Sequence, residues 1–286
     1  MSSLLGRFEI LGRQVAVACC GPLTLEPIDR VYGPLSSGSV DPDLSYSIIE
    51  EPDGYFRLVR DGANVETATD VGDLLQAFDG DLTVELQKLR PDLFFLHSGV
   101  MSWGERAVLL VADSGVGKST TCWGLSHLGA ALMSDELAPL DLETLTVLPY
   151  LRAIGLKQEP PSAFPLPRGV LRTEWTIHLP LDLLPGGVRR HRTMVGAVVF
   201  LLAAGEGEAK PEIQQVSAAE TATRLYACAL NPLAHSIDGL EAVSKIGEAA
   251  PGFVLERGEL GSTCELIRET FGGSVTGQAR CPRPLE

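Results

Sequence analysis

Short runs of alternating apolar and polar positions fill the first ninety residues of the chain. Four of these runs are rich in β-branched and aromatic residues, which is typical of half-buried strands. They cover residues 8–11, 15–19, 46–50 and 55–60. Turn-forming segments, such as residues 36–39 and Asp53-Gly54, separate them. The pattern predicts a β-rich N-terminal domain over residues 1–90.

The pattern changes to a helical period after Asp70. A helix is predicted to begin near Val71, with its apolar face formed by Leu74, Leu75 and Phe78. Asp70 is the predicted N-cap, because its carboxylate can accept hydrogen bonds from the first backbone N–H groups. A second helical stretch over residues 82–89 is expected to end before Pro91.

Beyond Pro91 the apolar runs become continuous, which is typical of strands buried on both faces. Strands are predicted at residues 93–96, 107–111, 130–133, 194–202 and 253–256. Helices are predicted at residues 118–128, 218–230 and Leu260–Phe271. A strand, a glycine-rich loop, a helix and a second strand in succession imply a parallel sheet covered by helices. Residues 91–286 are therefore interpreted as an α/β domain, with the proline-rich stretch 159–168 as an irregular loop or lid.

Composition narrows the classes of partner. Asp and Glu outnumber Lys and Arg by 37 to 23, so the formal net charge is −14. Such an acidic chain is repelled by nucleic acid and by anionic membranes, and neither is expected as a partner. The one basic cluster, at Arg189, Arg190 and Arg192, is interpreted as a solvated loop.

Cysteine spacing and hydropathy predict a cytoplasmic protein. None of the six cysteines forms a C-x-x-C pair, so we expect reduced, mostly buried thiols and neither a zinc site nor a disulfide framework. The N-terminus lacks the apolar core and cleavage site of a signal peptide. No apolar run reaches the ~18 residues that a membrane span requires.

A phosphate-binding loop is the strongest chemical motif in the chain. Residues 112–120 read A-D-S-G-V-G-K-S-T and nearly match G-x-x-x-x-G-K-[ST], with Ala112 in place of the first glycine. Glycines let successive backbone N–H groups converge on phosphate oxygens, and the following helix adds its dipole. Lys118 can then reach the β- and γ-phosphates of ATP, while the Ser119 hydroxyl can ligate Mg²⁺. The predicted nucleotide contacts are Asp113, Ser114, Gly115, Val116, Gly117, Lys118, Ser119 and Thr120.

The alternative to a phosphate site is a glycine-rich turn that merely precedes a helix. The strand before the loop and the helix after it are the context that a phosphate loop requires, and they favour the binding site.

Three further side chains are placed near this loop by the predicted strands. Asp135 and Glu136 follow the strand at residues 130–133, and the ends of parallel strands meet at one edge of a sheet. Asp135 can hold Mg²⁺ or accept a proton from an attacking hydroxyl, although a cap of a turn or helix is an alternative role. Glu136 is a second candidate metal ligand. His97 follows the strand at residues 93–96, where a lone histidine is either catalytic or structural.

Residues 97–136 resemble the core of bacterial HPr kinase/phosphorylase, and more closely the HPr kinase-related proteins of the same phosphoenolpyruvate-carboxykinase-like fold. The matching features are a histidine fifteen residues before the loop, the sequence D-S-G-V-G-K-S, and an acidic pair seventeen and eighteen residues after the lysine. Glu136 stands where the family has a second aspartate. Weaker similarities extend over residues 93–271. The resemblance implies an α/β P-loop kinase core beside a smaller β-rich N-terminal region.

The resemblance also implies a chemistry. In the family, the aspartate matching Asp135 is the general base toward a serine hydroxyl, the histidine matching His97 assists it, and the residues matching Lys118 and Ser119 hold phosphate and Mg²⁺. The chain lacks the family's downstream glutamate-bearing magnesium signature and the glycine–arginine–asparagine loop of the bifunctional enzyme. Reverse phosphorolysis and HPr as substrate are therefore not implied.

Arg152 and Lys157 are candidates for the positive charge that a γ-phosphate needs during transfer. The alternative is that both are surface charges on a strand.

Two functions follow from these features. The leading one is an ATP- and Mg²⁺-dependent kinase acting on a serine-type hydroxyl of a protein, a peptide or a small molecule. The alternative is a nucleotide-binding regulatory or assembly protein with little or no phosphotransfer. A base beside the γ-phosphate favours the kinase. The acceptor, the reverse reaction and the oligomeric state, a homo-oligomer included, are left open.

Overall fold

The structure is a computed structural model that describes residues 4–19, 22–33, 41–203 and 210–273. The chain divides into two compact units. The first comprises Met1–Leu93, Tyr150–Pro160 and Leu166–Leu183, and the second comprises Phe94–Pro149, Pro161–Pro165 and Leu184–Glu286. These units differ from the predicted second domain over residues 91–286, because residues 150–160 and 166–183 fall in the first unit. The turn expected at residues 36–39 lies outside the described residues.

The described residues form seventeen strands and six α-helices. The strands are β1 (Leu4–Ile10), β2 (Arg13–Cys19), β3 (Leu44–Glu50), β4 (Phe56–Arg60), β5 (Ala63–Ala68), β6 (Phe94–His97), β7 (Gly99–Trp103), β8 (Arg106–Val111), β9 (Ala131–Ser134), β10 (Leu137–Asp141), β11 (Thr146–Val147), β12 (Ile154–Leu156), β13 (Leu171–Arg172), β14 (Ile177–Leu179), β15 (Thr193–Leu202), β16 (Glu212–Val216) and β17 (Gly252–Glu256). The helices are α1 (Pro22–Tyr32), α2 (Val71–Leu89), α3 (Lys118–His127), α4 (Ala218–Tyr226), α5 (Leu240–Ala249) and α6 (Leu260–Phe271).

The first unit contains a five-stranded sheet in the order β1-β2-β3-β4-β5. Strands β2 and β3 are parallel, and the other neighbours are antiparallel. A parallel pair needs a crossover connection, and α1 lies in the connection between these two strands. A three-stranded antiparallel sheet, β12-β14-β13, belongs to the same unit. The backbone N–H of Ala153, just before β12, donates to the carbonyl of Val31 in α1 at 2.6 Å, which explains why this segment joins the first unit.

Aromatic side chains fill the centre of the first unit. Phe8 stacks on Tyr32 with 5.1 Å between ring centroids. Phe78 meets Tyr32 and Tyr46 edge-on, at 5.5 and 4.8 Å. Stacked and edge-to-face pairs at these distances are the favourable arrangements of aromatic quadrupoles, so the four rings form a specific core.

Helix α2 is one continuous element where two helical stretches were expected. Its buried face is Leu74, Leu75, Phe78, Leu82 and Leu86, which continues at helical spacing through the polar segment that suggested a break. The predicted N-cap at Asp70 is confirmed, because its side chain accepts from the N–H groups of Gly72 and Asp73 at 2.6 and 3.0 Å.

The second unit contains a nine-stranded mixed sheet. Strands β8, β15 and β17 are parallel neighbours. Strand β7 lies between β8 and β9 and is antiparallel to both, so β8 and β9 run in the same direction without touching. The expectation of a parallel sheet was therefore correct for β8, β15 and β17, and wrong for the sheet as a whole. The observed architecture is mixed α/β.

Helices α4 and α5 pack together and cover this sheet. Leu225 of α4 and Ile246 of α5 are fully buried in one cluster with Leu109 of β8 and Val198 of β15. Helix α3 packs against α6, where a Cβ at Gly124 would come within 2.6 Å of the Cys264 sulfur. Glycine therefore permits the close approach of these two helices.

The proline-rich stretch 159–168 contains neither helix nor strand, as predicted. Within the second unit, the carbonyl of Phe164 accepts from Nε1 of Trp123 at 2.9 Å, and its ring meets that of His127 edge-on at 5.4 Å. The interpretation of this stretch as a lid stays a prediction.

No helix in the described part of the chain is long and apolar enough to span a membrane. The four described cysteines carry free thiols, and three of them, Cys19, Cys122 and Cys264, are buried.

Candidate functional site

The loop after β8 has the backbone that its glycines predict. The N–H of Val116 donates to the carbonyl of Asp113 at 3.2 Å, which closes a tight turn. Gly115 and Gly117 adopt φ values of +85° and +99°, a region that side chains with a Cβ rarely occupy. Asp113, Ser114 and Gly115 are exposed to solvent. The loop is thus a wound, open segment between a buried strand and a helix.

Helix α3 begins directly at the end of this loop. Gly117 is its N-cap and supplies no side chain to the first-turn N–H groups. The helix is held at its start by Thr121, whose N–H and hydroxyl both donate to the carbonyl of Gly117, at 2.9 and 3.0 Å. The first N–H groups of a helix lack intrahelical acceptors and carry a positive end charge. The N-terminus of α3 therefore offers an anion site at the loop.

Lys118, the first residue of α3, is 7% exposed. It packs against Gly99 at the start of β7: a Cβ there would lie 3.4 Å from Cγ of Lys118 and 2.8 Å from the Cys122 sulfur. Glycine at position 99 leaves the space that the lysine stem occupies.

Asp135 lies in the tight turn between β9 and β10, and it is 1% exposed. The Ser134 hydroxyl accepts from the N–H groups of Glu136 and Leu137, at 3.1 and 2.9 Å, and so closes this turn. Ser134 therefore supplies a side-chain cap of the turn. Because β7 pairs Gly99 with Leu110 of β8 and Val100 with Ser134 of β9, the turn leaves the sheet at the same edge as the loop.

The buried thiol of Cys122 lies within electrostatic reach of both Lys118 and Asp135. Burial raises the pKa of this thiol, the negative charge of Asp135 raises it further, and the positive charge of Lys118 lowers it. Lys118 also acts on the pKa of a second thiol, that of Cys228. Burial raises its pKa, Asp113 of the loop adds to the rise, and Lys118 opposes it. Lys118 therefore lies within electrostatic reach of both thiols.

His97 ends β6 and faces the same turn. Its Nε2 lies 3.2 Å from a carboxylate oxygen of Glu136, and both side chains are more than one third exposed. The backbone N–H of Ser98 donates to the carbonyl of Glu136 at 3.0 Å, which fixes the register of the two segments. Strand β6 pairs with β10. Both the catalytic and the structural role of His97 stay predictions.

Arg152 and Lys157 were predicted to compensate the charge of a γ-phosphate. Both belong to the first unit. Arg152 is buried and donates from Nη1 to Oδ2 of Asp79 at 2.6 Å, so the surface-strand interpretation was wrong for it. Lys157 is exposed just after β12. The role of these two residues in compensating a γ-phosphate stays a prediction.

Arg257 is a residue of the site that the sequence reasoning missed. A Cβ built on Gly117 would lie 2.5 Å from Nη1 of Arg257, so the guanidinium is packed against the phosphate loop. Strand β17 ends at Glu256 and is parallel to β15, which is parallel to β8. The residue that follows β17 therefore leaves the sheet at the loop edge, and this order of parallel strands is the signal that could have identified it.

The donors at this edge fit Mg²⁺. No cluster of three or more His, Cys, Asp or Glu side chains able to hold a metal occurs among the described residues. Magnesium does not need such a cluster, because it is usually held by one or two carboxylates, by substrate phosphates and by water. The Ser119 hydroxyl and the carboxylates of Asp135 and Glu136 are hard oxygen donors of the required kind, although Glu136 is already beside His97.

Comparison with known proteins adds little to this geometry. No family model and no curated protein matches the chain. Among solved structures, the chain is similar to the Hpr(Ser) kinase/phosphatase from Coxiella burnetii, with 15% sequence identity and a TM-score of 0.34. The match covers 61% of this chain and 94% of that one. At this TM-score the likeness carries no argument, and the functional conclusion depends on the site itself.

Proposed function

We propose that the protein is an ATP- and Mg²⁺-dependent kinase that transfers the γ-phosphate to a serine-type hydroxyl, on a phosphoenolpyruvate-carboxykinase-like P-loop core. One observation carries the proposal. A phosphate loop at a helix N-terminus lies at the same sheet edge as a buried aspartate, and the lysine of the loop and that aspartate act on one buried thiol. In this proposal, the lysine supplies a cation for the phosphates and the aspartate supplies a carboxylate for the proton.

The loop and the start of α3 bind and orient the triphosphate in this proposal. Backbone N–H groups from Asp113 to Thr120 donate to phosphate oxygens, and Lys118 neutralises the charge that develops on the transferring group. Its 7% exposure strengthens this interaction, because charges act over a lower effective dielectric away from water.

Transfer forms a bond between the acceptor oxygen and the γ-phosphorus, and it breaks the bond to the β–γ bridging oxygen. Asp135 accepts the proton that the acceptor hydroxyl loses, and ADP leaves with the bridging oxygen. His97 can assist through Glu136, with which it is already paired. Magnesium, when bound to Ser119 and the acidic pair, supplies charge neutralisation between the phosphates.

A hydroxyl on a protein, a peptide or a small molecule is the proposed acceptor, in the cytoplasm. The net charge of −14 argues against nucleic acid. Two members of the only basic cluster are also neutralised, since Arg189 pairs with Glu105 and Arg192 with Asp141.

A specific observation favours the second candidate, a nucleotide-binding regulatory protein with little phosphotransfer. Asp135 is 1% exposed, whereas a general base must touch the acceptor hydroxyl. A buried aspartate that only holds a metal beside bound nucleotide would serve a sensor equally well.

Substitution of Asp135 separates the two candidates. Asp135→Asn keeps the side-chain shape and removes the proton acceptor, so transfer should fall by roughly 10²–10⁴-fold. The measurement is transfer of labelled phosphate from ATP with Mg²⁺ to free serine and to serine-containing peptides, with ATP binding measured in parallel by calorimetry.

Asp141→Asn is the matched control, because Asp141 is an acidic residue of the same unit that caps a separate turn. It should leave transfer nearly unchanged. Unchanged transfer per bound ATP in Asp135→Asn, together with weakened binding, would instead make Asp135 a metal ligand. Absence of transfer to every acceptor by a wild-type chain that binds ATP would support the regulatory protein.

A further inference from the structure

Arg257 occupies an unusual position for an arginine in this chain. Its Nη1 lies 2.5 Å from the position that a Cβ of Gly117 would take, which puts the guanidinium against the phosphate loop one residue before Lys118. Its Nε donates to the carbonyl of Leu202 at 3.2 Å, and this bond aims the side chain from the end of β17 across the end of β15.

No carboxylate among the described residues lies within ion-pair distance of Arg257. Four other arginines of the second unit do form such pairs, namely Arg189 with Glu105, Arg192 with Asp141, Arg224 with Glu220 and Arg268 with Glu265. In a chain with so many acidic residues, a partly buried arginine without one is a cation that lacks its counter-charge. Burial lowers the pKa of Arg257, which shows that this position costs it hydration.

The charges around the loop make an additional cation necessary. Asp113, Asp135 and Glu136 bring three carboxylates to the edge where a triphosphate would lie. Lys118 and one Mg²⁺ together supply fewer positive charges than the negative charges that these carboxylates and a triphosphate carry. A guanidinium suits the task, because its planar set of donors matches two phosphate oxygens at once.

We propose that Arg257 is a phosphate-binding residue of this site, and that it contacts the polyphosphate of the nucleotide from the side of Gly117. The inference rests on the proposed nucleotide site, but it does not require phosphotransfer. A chain that only senses ATP would use Arg257 in the same way.

Binding of ATP and of inorganic tripolyphosphate by the full chain tests the proposal, with calorimetry as the readout. Arg257→Gln removes the charge and should weaken the binding of both probes by about 10–100-fold. Arg257→Lys keeps a point charge without the fork, so its affinity should lie between wild type and Arg257→Gln. Arg268→Gln, an exposed arginine of α6 paired with Glu265, should stay within about twofold of wild type.

The outcomes distinguish this inference from the proposed function. If Arg257→Gln binds both probes as the wild type does, with an unchanged melting temperature, Arg257 is not a phosphate ligand and the kinase proposal stands. If binding depends on Arg257 while no acceptor is phosphorylated, the inference stands and the kinase proposal fails. If Arg257→Gln does not fold, equal binding by Arg257→Lys and wild type overturns the inference. A wild-type chain that binds neither probe overturns both.

Discussion

Two arginines, one in each unit, differ in the source of their counter-charge. Arg152 in the first unit donates to Asp79 at 2.6 Å, and Asp79 also accepts from the hydroxyl of Tyr32. Arg257 in the second unit has no carboxylate partner among the described residues, and it lies against the phosphate loop. Arg152 is buried and Arg257 is partly buried, so burial alone does not assign them different roles. The two arginines are distinguished by the identity of their partners.

Arg152 has a carboxylate partner, Asp79, within its own unit. Burial raises the pKa of Tyr32, and Asp79 raises it further, so the hydroxyl stays a donor to that carboxylate. A buried ion pair of this kind contributes little net stability relative to apolar packing, yet loss of one partner is costly because the other charge is stranded. The segment at Gly117 and Lys118 instead directs hydrogen-bond donors toward solvent. A cation that is shielded from water can therefore serve structure or binding, and the identity of its partner decides between these two roles.

The largest effect is expected at Lys118. Lys118→Met keeps the buried stem and removes the charge, so ATP-dependent transfer should fall by about 10³-fold or more. Melting temperature should change little, because the packing against Gly99 is retained. Lys245→Met, which removes an exposed lysine that donates to the carbonyl of Leu142, is the control and should keep full activity. Equal activity in Lys118→Met and wild type would remove the phosphate site from the proposal.

The next effect concerns Arg152, and it is on stability. Arg152→Met leaves Asp79 without its cation, and breaking a buried pair costs roughly 3–5 kcal/mol, here at the lower end because Asp79 keeps partial exposure. Denaturant unfolding followed by amide exchange in α2 measures the loss within the first unit. The double variant with Asp79→Asn should recover part of it, because the stranded charge is gone.

Arg152 also tests the interpretation made from sequence. Unchanged stability, combined with a large loss of transfer in Arg152→Met, would make it the γ-phosphate ligand that the sequence suggested and would break the comparison drawn here.

A smaller effect is expected from His178, which pairs with β12 in the first unit. Burial, and secondarily the positive charge of Arg152, lowers its pKa to about 4. Its Nδ1 has no hydrogen-bond partner among the described residues. Between pH ~6.5 and ~4 the unfolded chain takes up a proton that the folded chain refuses, so stability falls as pH falls through this window. The loss should not exceed about 3.4 kcal/mol, the free energy that corresponds to lowering the pKa of His178 from its ordinary 6.5 to about 4.

His178→Gln removes the titrating group and should flatten the dependence of unfolding free energy on pH between those values. His191→Gln, which changes an exposed histidine of the second unit, is the control and should leave the slope as in wild type. If the unfolding free energy depends on pH equally in His178→Gln and wild type, other titrating groups cause this dependence.

The parts of this molecule that sequence predicts well are contiguous. Helix α6 has the predicted bounds, and β8, the glycine loop and α3 follow one another as predicted, because periodicity and turn chemistry are local signals. The histidine, the lysine and the acidic pair were found by spacing alone. Their meeting at one edge depends on strand direction, which the pattern indicated correctly for β8 and β9.

The parts that sequence missed depend on distant partners. Strand β7 begins at Gly99 and contains Ser102, so it has no long apolar run, and its place between β8 and β9 is set by pairing. Helix α5, with four buried residues, was not predicted either. Nothing in the sequence near Arg152 indicates that it pairs with Asp79, which is seventy-three residues away. Nothing in the sequence near Arg257 indicates its contact with Gly117, because the order of the parallel strands brings these two residues together.

The smallest predicted effect on stability concerns the N-caps of two helices, one in each unit. Asp70 accepts from two N–H groups of α2, at 2.6 and 3.0 Å, and is partly buried. Ser217 accepts from one N–H group of α4, at 3.1 Å, and is exposed. Loss of a cap costs about 1 kcal/mol, and a carboxylate adds a favourable interaction with the helix dipole. Asp70→Ala should therefore lower the unfolding free energy by about 1–1.5 kcal/mol, and Ser217→Ala by about half as much.

Asp70→Asn keeps the acceptor and removes the charge, so it should lose only a few tenths of a kcal/mol. Urea unfolding of each variant, read by circular dichroism and by exchange in α2 and α4, provides the measurement. Asp70 was identified as a cap from its sequence position, whereas Ser217 was not, although the helix after it begins at residue 218 as predicted. If Ser217→Ala proves the more costly, exposure is a poor guide to the value of a cap in this fold. The second unit would then depend on its surface caps as the first depends on its buried Arg152–Asp79 pair.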